Sequence, residues 1–288
     1  MKLAEFNSYL TAKGKSNNTI LAYCNDVNIF AKAVALRGIT ALEEVTETDI
    51  VSYVFELKLG GSTALTINRK LSSLRCYFDF LLARGEIAKN PTIGVKPPKM
   101  AYRKFDYLSP GQVKKVLDLP DDSIKGLRDR AVLELMYATG IRASELIKLK
   151  VADINLRMGM LSCHDKPRVI PFGKHAKAAL DDYLKNSRKI LLGEGESELL
   201  FLNYSGAPLS RQGLWKIFKD YAAKAELDVP FTPQSLRNSF AVHMLQNGAD
   251  LPSVQKLMGH DDITATEIYL TATKSRIKEV YDNTHPRA

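Results

Sequence analysis

Residues 232–270 constrain the fold of this chain more than any other stretch. Their sequence, TPQSLRNSFAVHMLQNGADLPSVQKLMGHDDITATEIYL, predicts three short helices in succession. A threonine–proline pair opens the first helix and Gly248 can end it, because threonine is a good N-cap and glycine a good C-terminal stop. The second helix is predicted between Asp250 and Gly259, and Thr264 has capping-box spacing to a glutamate in the third.

Three polar side chains lie near the starts and ends of these helices, where they can converge on one point. Arg237 offers a permanent cation, His260 an imidazole and Tyr269 a phenol. Taken singly, each is more often a structural or surface residue. Together they favour chemistry on a phosphate group, because arginine binds phosphate oxygens and a phenol can attack phosphorus.

The charge of the chain agrees with a phosphate-rich partner. Its 288 residues carry a net charge of +9 and a pI of about 9.3, which favours a polyanion. Residues 1–100 hold 13 lysines and arginines against 9 acidic residues, and the remainder is basic as well. A solvated basic surface explains the charge alone equally well, so the charge supports the motifs and does not replace them.

Several classes of protein are disfavoured by the sequence. The three cysteines are widely spaced and odd in number, which does not indicate a disulfide framework. No apolar run reaches the roughly 18 residues of a membrane span, and MKLAEFNSYL lacks the apolar core of a signal peptide. The histidines and cysteines do not have zinc spacing. We therefore expect a cytoplasmic protein with no membrane partner, no metal and no cofactor.

The chain divides near residue 100. Residues 91–106 are rich in proline and basic residues and read as a linker. Residues 1–90 form the first predicted domain, and residues 107–288 the second. Apolar periodicity and capping signals in the first domain predict four helices, at about 2–12, 17–36, 47–58 and 63–84.

The second domain is predicted to be mainly helical with a small antiparallel sheet. Two helices come first, in LSPGQVKKVLDL and GLRDRAVLELMYATG, and a short one follows in ASELIKLK. Between residues 151 and 172 the pattern changes to short strands, DINL, MLSC and RVIPF, separated by turns. Further helices are predicted at about 174–189 and 210–225.

Several separated motifs, in order, resemble those of the tyrosine recombinase (phage-integrase) family. They are ATGIRASEL, SLRNSFAVHMLQNGADLPSVQKLMGH and a tyrosine nine residues after the histidine. The nearest subgroup is the Xer recombinases of the XerD type. The C-terminal tail of this chain, KSRIKEVYDNTHPRA, also resembles the tails of that subgroup. The resemblance spans nearly the whole chain.

The resemblance implies a C-shaped clamp on duplex DNA, made of a helical, SAM-like core-binding domain and an α+β catalytic domain. It implies site-specific recombination through a 3′-phosphotyrosyl intermediate and a Holliday junction. Four protomers would form a tetrameric synapse on two DNA sites, with the segment 274–288 packing on a neighbour. A related recombinase and a DNA translocase of the FtsK type are further partners that an Xer role in chromosome dimer resolution would imply.

The same resemblance supplies roles for individual residues. Tyr269 is the expected nucleophile, and Arg142 and Arg237 can each present a planar fork to the phosphate oxygens. His260 can hydrogen-bond the phosphate or the tyrosine. Lys166 would protonate the leaving 5′-oxygen, and Glu145 would support the arginines. Five side chains of the first domain are plausible DNA contacts: Thr19, Arg69, Lys70, Ser73 and Arg75.

Three positions depart from the family pattern. Gln234 stands where the family usually has histidine or lysine, and it can donate a hydrogen bond but cannot carry a proton or a charge. Asn238 replaces the histidine of the common LRH motif. An ungapped match puts Cys163 at the catalytic lysine position, but a shortened turn would bring Lys166 to the tip of the hairpin.

Three other functions remain compatible with the sequence. One is a mobile-element integrase with the same chemistry. Another is a DNA-binding member of the family with impaired catalysis, which the departures at Gln234 and around Lys166 would fit. The third is a relaxing topoisomerase, whose family normally has a different domain plan.

Overall fold

The computed structural model describes residues 2–99, 105–260 and 264–270. The chain forms two compact units, Met1–Arg103 and Lys104–Ala288, each with its own hydrophobic core. No helix in these described ranges is long and apolar enough to cross a membrane.

The first unit consists of four helices, as predicted. Hydroxyl side chains begin three of them: Ser16, Thr46 and Thr63 each accept a hydrogen bond from a backbone N–H in the first turn. Large aromatic rings fill the core between the helices. The helices are α1 (Leu3–Ala12), α2 (Asn17–Ala35), α3 (Glu47–Leu59) and α4 (Ala64–Ala83).

The packing of the first unit continues beyond its last helix. Asn90 donates hydrogen bonds to the backbone oxygen of Arg75 and, at 2.7 Å, to the Asp79 carboxylate. Val95 is buried in the aromatic core, and its carbonyl accepts from the Arg75 guanidinium at 2.7 Å. The proline-rich segment therefore starts as part of this unit, while its residues 100–104 lie outside the described ranges.

The second unit is mainly helical and is organised around α6 (Ile124–Thr139), whose apolar side chains between Ala131 and Met136 are all buried. Three strands form an antiparallel sheet in the order β1–β2–β3. In the register of β2 and β3, Leu161 lies opposite Ile170 and Cys163 opposite Arg168. The elements are α5 (Pro110–Leu117), α6 (Ile124–Thr139), α7 (Ala143–Leu146), β1 (Ile154–Asn155), β2 (Met160–Cys163), β3 (Arg168–Pro171), α8 (Lys174–Asp182), α9 (Lys189–Leu192), α10 (Arg211–Ala225), α11 (Pro233–Gln246), α12 (Leu251–Met258) and α13 (Thr264–Glu267).

The predicted fold class, mainly α with a small antiparallel sheet, is confirmed. One predicted helix, at 174–189, is not a single regular helix. A wider π-helical turn, Tyr183–Arg188, separates α8 from α9. Tyr183 is fully buried there, and its hydroxyl donates to the carbonyl of Leu200, so tertiary packing overrides the regular helical pattern.

The end of α6 is held against α11. Gly140 follows α6 with a φ of +59°, a conformation that favours glycine, and a Cβ at this position would collide with the ring of Phe240 in α11. The chain then turns directly into α7. This close approach places Arg142, which precedes α7, beside Arg237 in the middle of α11.

Candidate active site

Two arginines connect the ends of three helices. The Arg237 guanidinium donates to the carbonyl of Gly140, after α6, and at 2.7 Å to that of Met258, in the last turn of α12. Arg142 donates at 2.6 Å to the carbonyl of Gly259. Helix C-termini present unpaired carbonyls, so cations are favourable at these ends.

Arg237 is 3% exposed, which is unusual for a charged side chain. Burial, together with the nearby Arg142, lowers the pKa of Arg237 to about 10, so the side chain is still a cation at neutral pH. No carboxylate of the described residues forms an ion pair with it. The site consequently keeps an uncompensated positive charge.

Glu145 forms hydrogen bonds with the other arginine, Arg142. Its carboxylate accepts from the backbone N–H of Arg142 at 2.9 Å and from the Arg142 guanidinium at 3.4 Å. Burial alone would raise the pKa of Glu145, but the bonds from Arg168 and Arg142 outweigh burial and leave that pKa below its ordinary value. The carboxylate is therefore ionised at neutral pH.

Arg168 is a residue of this cluster that the sequence analysis missed. It begins β3 and grips Glu145 with two N–H groups, at 2.7 and 2.9 Å. Its Nε donates at 2.8 Å to the carbonyl of Leu257. Arg168 thus ties the sheet to α12 and, through Glu145, to Arg142. Nothing in the RVIPF strand pattern distinguishes this arginine from a surface residue.

His260 follows Gly259, whose φ of +61° ends α12. The Nε2 atom lies 3.0 Å from the Arg237 guanidinium, which can only donate, so Nε2 must accept. Nδ1 then carries the hydrogen and donates to the hydroxyl of the fully buried Thr266 at 2.8 Å. Burial, followed by the charges of Arg237 and Arg142, lowers the pKa of His260 to about 4, so the ring is neutral at neutral pH.

These side chains border a cavity of about 450 Å³. Arg142, Arg237, His260 and Gln234 contribute polar groups to it. Trp215, which is 52% exposed, forms part of the wall together with Arg211. A phosphate group in this cavity would meet two guanidinium groups and the amide of Gln234.

Tyr269 lies beside the cavity but is 4% exposed. Its ring packs edge-on against Phe105, at 5.1 Å between centroids, and lies 6.5 Å from the ring of His260. The hydroxyl donates to Oδ1 of Asn238 at 3.1 Å. Burial raises the pKa of Tyr269, although the positive charges of Arg237 and Arg142 act in the opposite direction.

Lys166 lies in the four-residue turn between β2 and β3, residues 164–167. This turn and α12 line a groove of about 700 Å³ to which Lys166, Lys256 and His260 contribute. His260 therefore borders both the groove and the arginine-lined cavity. A hydrogen bond and an ion pair hold the turn in place: Nε2 of His164 lies 2.7 Å from the Asp153 carboxylate, and Asp165 pairs with Lys148 at 2.9 Å.

Cys163, the ungapped match for a catalytic lysine, lies in the hydrophobic core. It is 4% exposed, and burial raises the pKa of its thiol to about 11. Its side chain lines neither the groove nor the arginine-lined cavity.

The predicted DNA contacts of the first unit separate into two groups. Lys70 and Ser73 are buried and bond to the buried Asp26, at 3.1 and 2.8 Å. Their DNA contacts stay a prediction, and in this structure their polar atoms bond within the unit. Arg69 also pairs with Asp26, but its side chain is 45% exposed.

The other two predicted contacts are partly accessible. Thr19 lies at the start of α2, where its hydroxyl is 2.9 Å from that of Ser16. Arg75 is half-buried and bonds to the carbonyl of Val95. The C-terminal segment 274–288, predicted to pack on a neighbour, lies outside the described residues.

Comparison with known proteins identifies the family. The phage integrase family model matches residues 106–276, and the model of the phage integrase N-terminal SAM-like domain matches residues 3–85. The tyrosine recombinase XerD of Listeria innocua serovar 6a is 41% identical over 285 residues, covering 97% of this chain and 96% of the relative. The chain belongs to the phage integrase family.

Two solved structures of recombinases share the fold of this integrase family member. The XerH site-specific recombinase, bound to a palindromic difH substrate in a post-cleavage complex, has a TM-score of 0.75 and 21% identity, and covers 91% of this chain and 78% of that one. The Tn1549 transposon integrase in complex with transposon right end DNA has a TM-score of 0.77 and 19% identity, covering 97% and 99%. The family models and the XerD relatives confirm the predicted XerD-like tyrosine recombinase and its enzyme class, and the solved structures confirm its fold.

Proposed function

We propose that this Xer-type tyrosine recombinase cleaves and rejoins duplex DNA through a covalent 3′-phosphotyrosyl intermediate on Tyr269. The observation that carries the proposal is the convergence of Arg142, Arg237 and His260 on one cavity beside the tyrosine. These groups come from three separate parts of the chain, and an uncompensated positive charge remains among them. A scissile phosphate would supply the missing negative charge.

The two arginines bind the non-bridging oxygens. Each guanidinium is already fixed by backbone carbonyls, so little reorganisation is needed when the phosphate arrives. Negative charge grows on these oxygens as the phenol gives up its proton to solvent, its oxygen bonds to phosphorus and the bond to the 5′-oxygen breaks. Cations that are already fixed in place stabilise that charge because they need not reorganise during the reaction. Neutral His260, held by Thr266, sets the orientation of Arg237 and completes the rim.

The leaving 5′-oxygen takes a proton from Lys166. Its position in the β2–β3 turn, on a groove shared with His260, supports this role. Cys163 lies in the core with a raised pKa, which favours Lys166 over the cysteine as the general acid.

Four protomers would act on two DNA sites and exchange strands in pairs through a Holliday junction. Both units would contact the duplex, and Thr19, Arg69 and Arg75 would supply phosphate contacts from the first unit. The 41% identity to XerD favours chromosome dimer resolution in the cytoplasm, with a related recombinase and an FtsK-type translocase as partners. The fold shared with a transposon integrase makes a mobile-element integrase the second candidate.

Fragmented genomic DNA from the source organism tests the proposal. The protein is incubated with the fragments, the reaction is stopped with detergent, and DNA that remains attached to protein is sequenced. We expect one recurrent sequence, broken with protein on its 3′ end, and none above background with Tyr269→Phe. A site near the chromosome terminus supports the Xer role, and a site beside phage or transposon genes supports the integrase.

The same experiment separates the remaining candidate. Specific DNA binding by the parent protein with no attached DNA would overturn the proposal and favour a catalytically impaired DNA-binding member. Relaxation of supercoils without exchange between two cloned copies of the site would instead favour a relaxing topoisomerase.

A further inference from the structure

Asn238 connects the tyrosine to the arginine-lined cavity. Its Oδ1 atom accepts two hydrogen bonds, from the Tyr269 hydroxyl at 3.1 Å and from Nε2 of Gln234 at 2.8 Å. Gln234 and Asn238 are four residues apart on α11 and therefore lie on the same helical face. A carbonyl oxygen has two lone pairs, so this atom is fully used.

The orientation of the Asn238 amide is fixed from its other end. Nδ2 donates at 2.8 Å to the backbone carbonyl of Asp106, which can only accept. The oxygen of the amide must then face Tyr269 and Gln234. Asn238 is 5% exposed and Tyr269 is 4% exposed, so the bond between them is shielded from water, whereas Gln234 is exposed at the cavity.

The tyrosine hydroxyl has no other hydrogen-bond partner among residues 2–99, 105–260 and 264–270. Its ring is confined by Phe105 on one side and His260 on another. Apolar packing of this kind restricts the ring plane but leaves the direction of the hydroxyl hydrogen free. The bond to Asn238 is what sets that direction and leaves the oxygen lone pairs on the opposite side.

Gln234 carries this arrangement to the cavity. Its side chain lines the cavity with Arg142 and Arg237, while one of its two amide N–H groups is bonded to Asn238. The second amide N–H is therefore available to a phosphate oxygen. A phosphate that accepts a hydrogen bond from Gln234 therefore also affects the bond from Gln234 to Oδ1 of Asn238. The Tyr269 hydroxyl donates to the same oxygen, so its bond changes as well.

We propose that Asn238 is the positioning residue for Tyr269, and that the Gln234–Asn238 pair makes the position of the tyrosine hydroxyl depend on the phosphate in the cavity. Asn238 touches neither the phosphate nor the bond that breaks. It acts through the nucleophile, whereas Gln234 touches the substrate. This inference rests on the proposed function, because it assumes that Tyr269 attacks a phosphate held in the cavity.

Two variants separate positioning from packing. Asn238→Leu has nearly the same shape but no acceptor, and Asn238→His keeps one donor and one acceptor when its ring is neutral. Single-turnover cleavage is measured at saturating DNA, on the site recovered from the covalent adducts. We expect Asn238→Leu to lower the cleavage rate about tenfold or more with unchanged DNA affinity. Asn238→His should retain most of the parent cleavage rate at a pH above the pKa of the introduced histidine.

The pH profile is the readout that packing alone would not change. Protonation of the introduced histidine turns its acceptor nitrogen into a donor, so Asn238→His should lose cleavage as pH falls through the titration of that ring. The groups that face position 238 are the Tyr269 hydroxyl, the Gln234 amide and the Asp106 carbonyl, with the cations Arg237 and Arg142 nearby. The parent should show no such loss in the same range.

A double-mutant cycle tests the link to the cavity. The double variant Gln234→Ala with Asn238→Leu should cleave about ten times faster than the product of the two separate effects predicts. Strictly multiplicative effects would show that the two amides act independently, and would overturn the proposed coupling between Gln234 and Asn238.

A measurement without DNA separates failure of this inference from failure of the proposed function. With 3-fluorotyrosine at position 269, the fluorine resonance should shift in Asn238→Leu and return towards the parent in Asn238→His. Full-rate cleavage by Asn238→Leu with an unshifted resonance would overturn the inference while the proposed function stands. A parent protein that forms no covalent adduct would overturn the proposed function, whatever the resonance shows. If Asn238→Leu melts at a much lower temperature than the parent, the pH profile of Asn238→His tests the positioning role instead. A profile identical to that of the parent would then overturn the inference.

Discussion

Each unit of this protein contains a buried carboxylate surrounded by cations, and the two clusters differ in how their charges are balanced. In the first unit, Asp26 is 1% exposed and accepts from Arg69, Lys70 and the hydroxyl of Ser73. In the second unit, Glu145 is shared by Arg142 and Arg168, while Arg237 has no carboxylate partner among the described residues.

The balance separates a structural cluster from a binding cluster. The Asp26 cluster satisfies its carboxylate internally, and its lysine and serine are closed off from solvent. Arg237 of the second unit is held by backbone carbonyls, which leave its charge uncompensated at the wall of a cavity. A buried cation without an anion is costly unless a ligand supplies one, so the second cluster is built for an anion.

Lys166→Ala should have the largest effect on cleavage in the second unit. General acid catalysis typically contributes about 100- to 10,000-fold, and we expect a loss in that range on normal DNA. On DNA whose 5′-bridging oxygen at the cleavage point is sulfur, the rate should largely recover, because a thiolate leaves without a proton. Cys163→Ala is the matched control and should cleave both substrates close to the parent rate. A slow Lys166→Ala variant with no recovery would make this lysine a phosphate-binding or structural residue.

Arg237→Lys should come next. The charge is kept, but a single ammonium cannot bind two backbone carbonyls and a phosphate in the planar geometry of the guanidinium. We expect single-turnover cleavage to fall about 100- to 1000-fold, the typical loss for one preorganised donor. Arg130→Lys, at an exposed ion pair with Asp122, is the control and should cleave normally. Equal rates for the two variants would mean that the planar guanidinium geometry at position 237 has no part in cleavage.

The pH dependence of cleavage should show a smaller effect. The pKa of His260 is about 4 in the folded protein, below its ordinary value, so its charge should not change between pH 8 and pH 5. Below pH 6.5 the unfolded chain takes up the proton first, so the neutral ring contributes stability at high pH that is lost as pH falls towards 4. We expect a flat cleavage rate down to about pH 5. A loss of rate centred near pH 6.5 and absent in His260→Asn would contradict the neutral, buried ring.

Asp26→Ala should have the smallest effect on cleavage and a large effect on folding. Removal of the carboxylate leaves the buried Lys70 unpaired, which typically lowers the free energy of unfolding by about 3–5 kcal/mol. Cleavage by the folded fraction should be unchanged, as urea unfolding and single-turnover rates would show together. Asp118→Ala, at an exposed pair with Lys114, should change the free energy of unfolding by less than about 1 kcal/mol. Slow cleavage by folded Asp26→Ala would remove the distinction between the two clusters.

Local signals were enough to predict most of the fold. Capping residues such as Ser16 and Thr46 mark helix starts. The ends of the predicted helices in the first unit differ from the observed ends by no more than one residue. Arg142 and Arg237 were found because they stand in motifs with fixed spacing. The burial of Lys70 and Ser73 was not predicted, because their partner Asp26 lies on another helix and a sequence does not show which polar groups meet inside a core.

The contacts that complete the site are also distant in sequence. Arg168 reaches Glu145 across 23 residues and the carbonyl of Leu257 across 89. Tyr269 reaches Asn238 across 31 residues. No local pattern encodes such pairs, and an arginine at the start of a strand reads as an ordinary surface residue. Only the folded arrangement distinguishes a positioning residue from a solvated one.

The most direct test of the account is to identify the residue that becomes attached to DNA. The covalent adduct formed on the recovered site is digested with protease and nuclease, and the peptide that carries a nucleotide is sequenced by mass spectrometry. The account predicts a phosphodiester on the Tyr269 oxygen, joined to the 3′ side of the break. A nucleotide on any other residue, or on the 5′ side of the break, would contradict it.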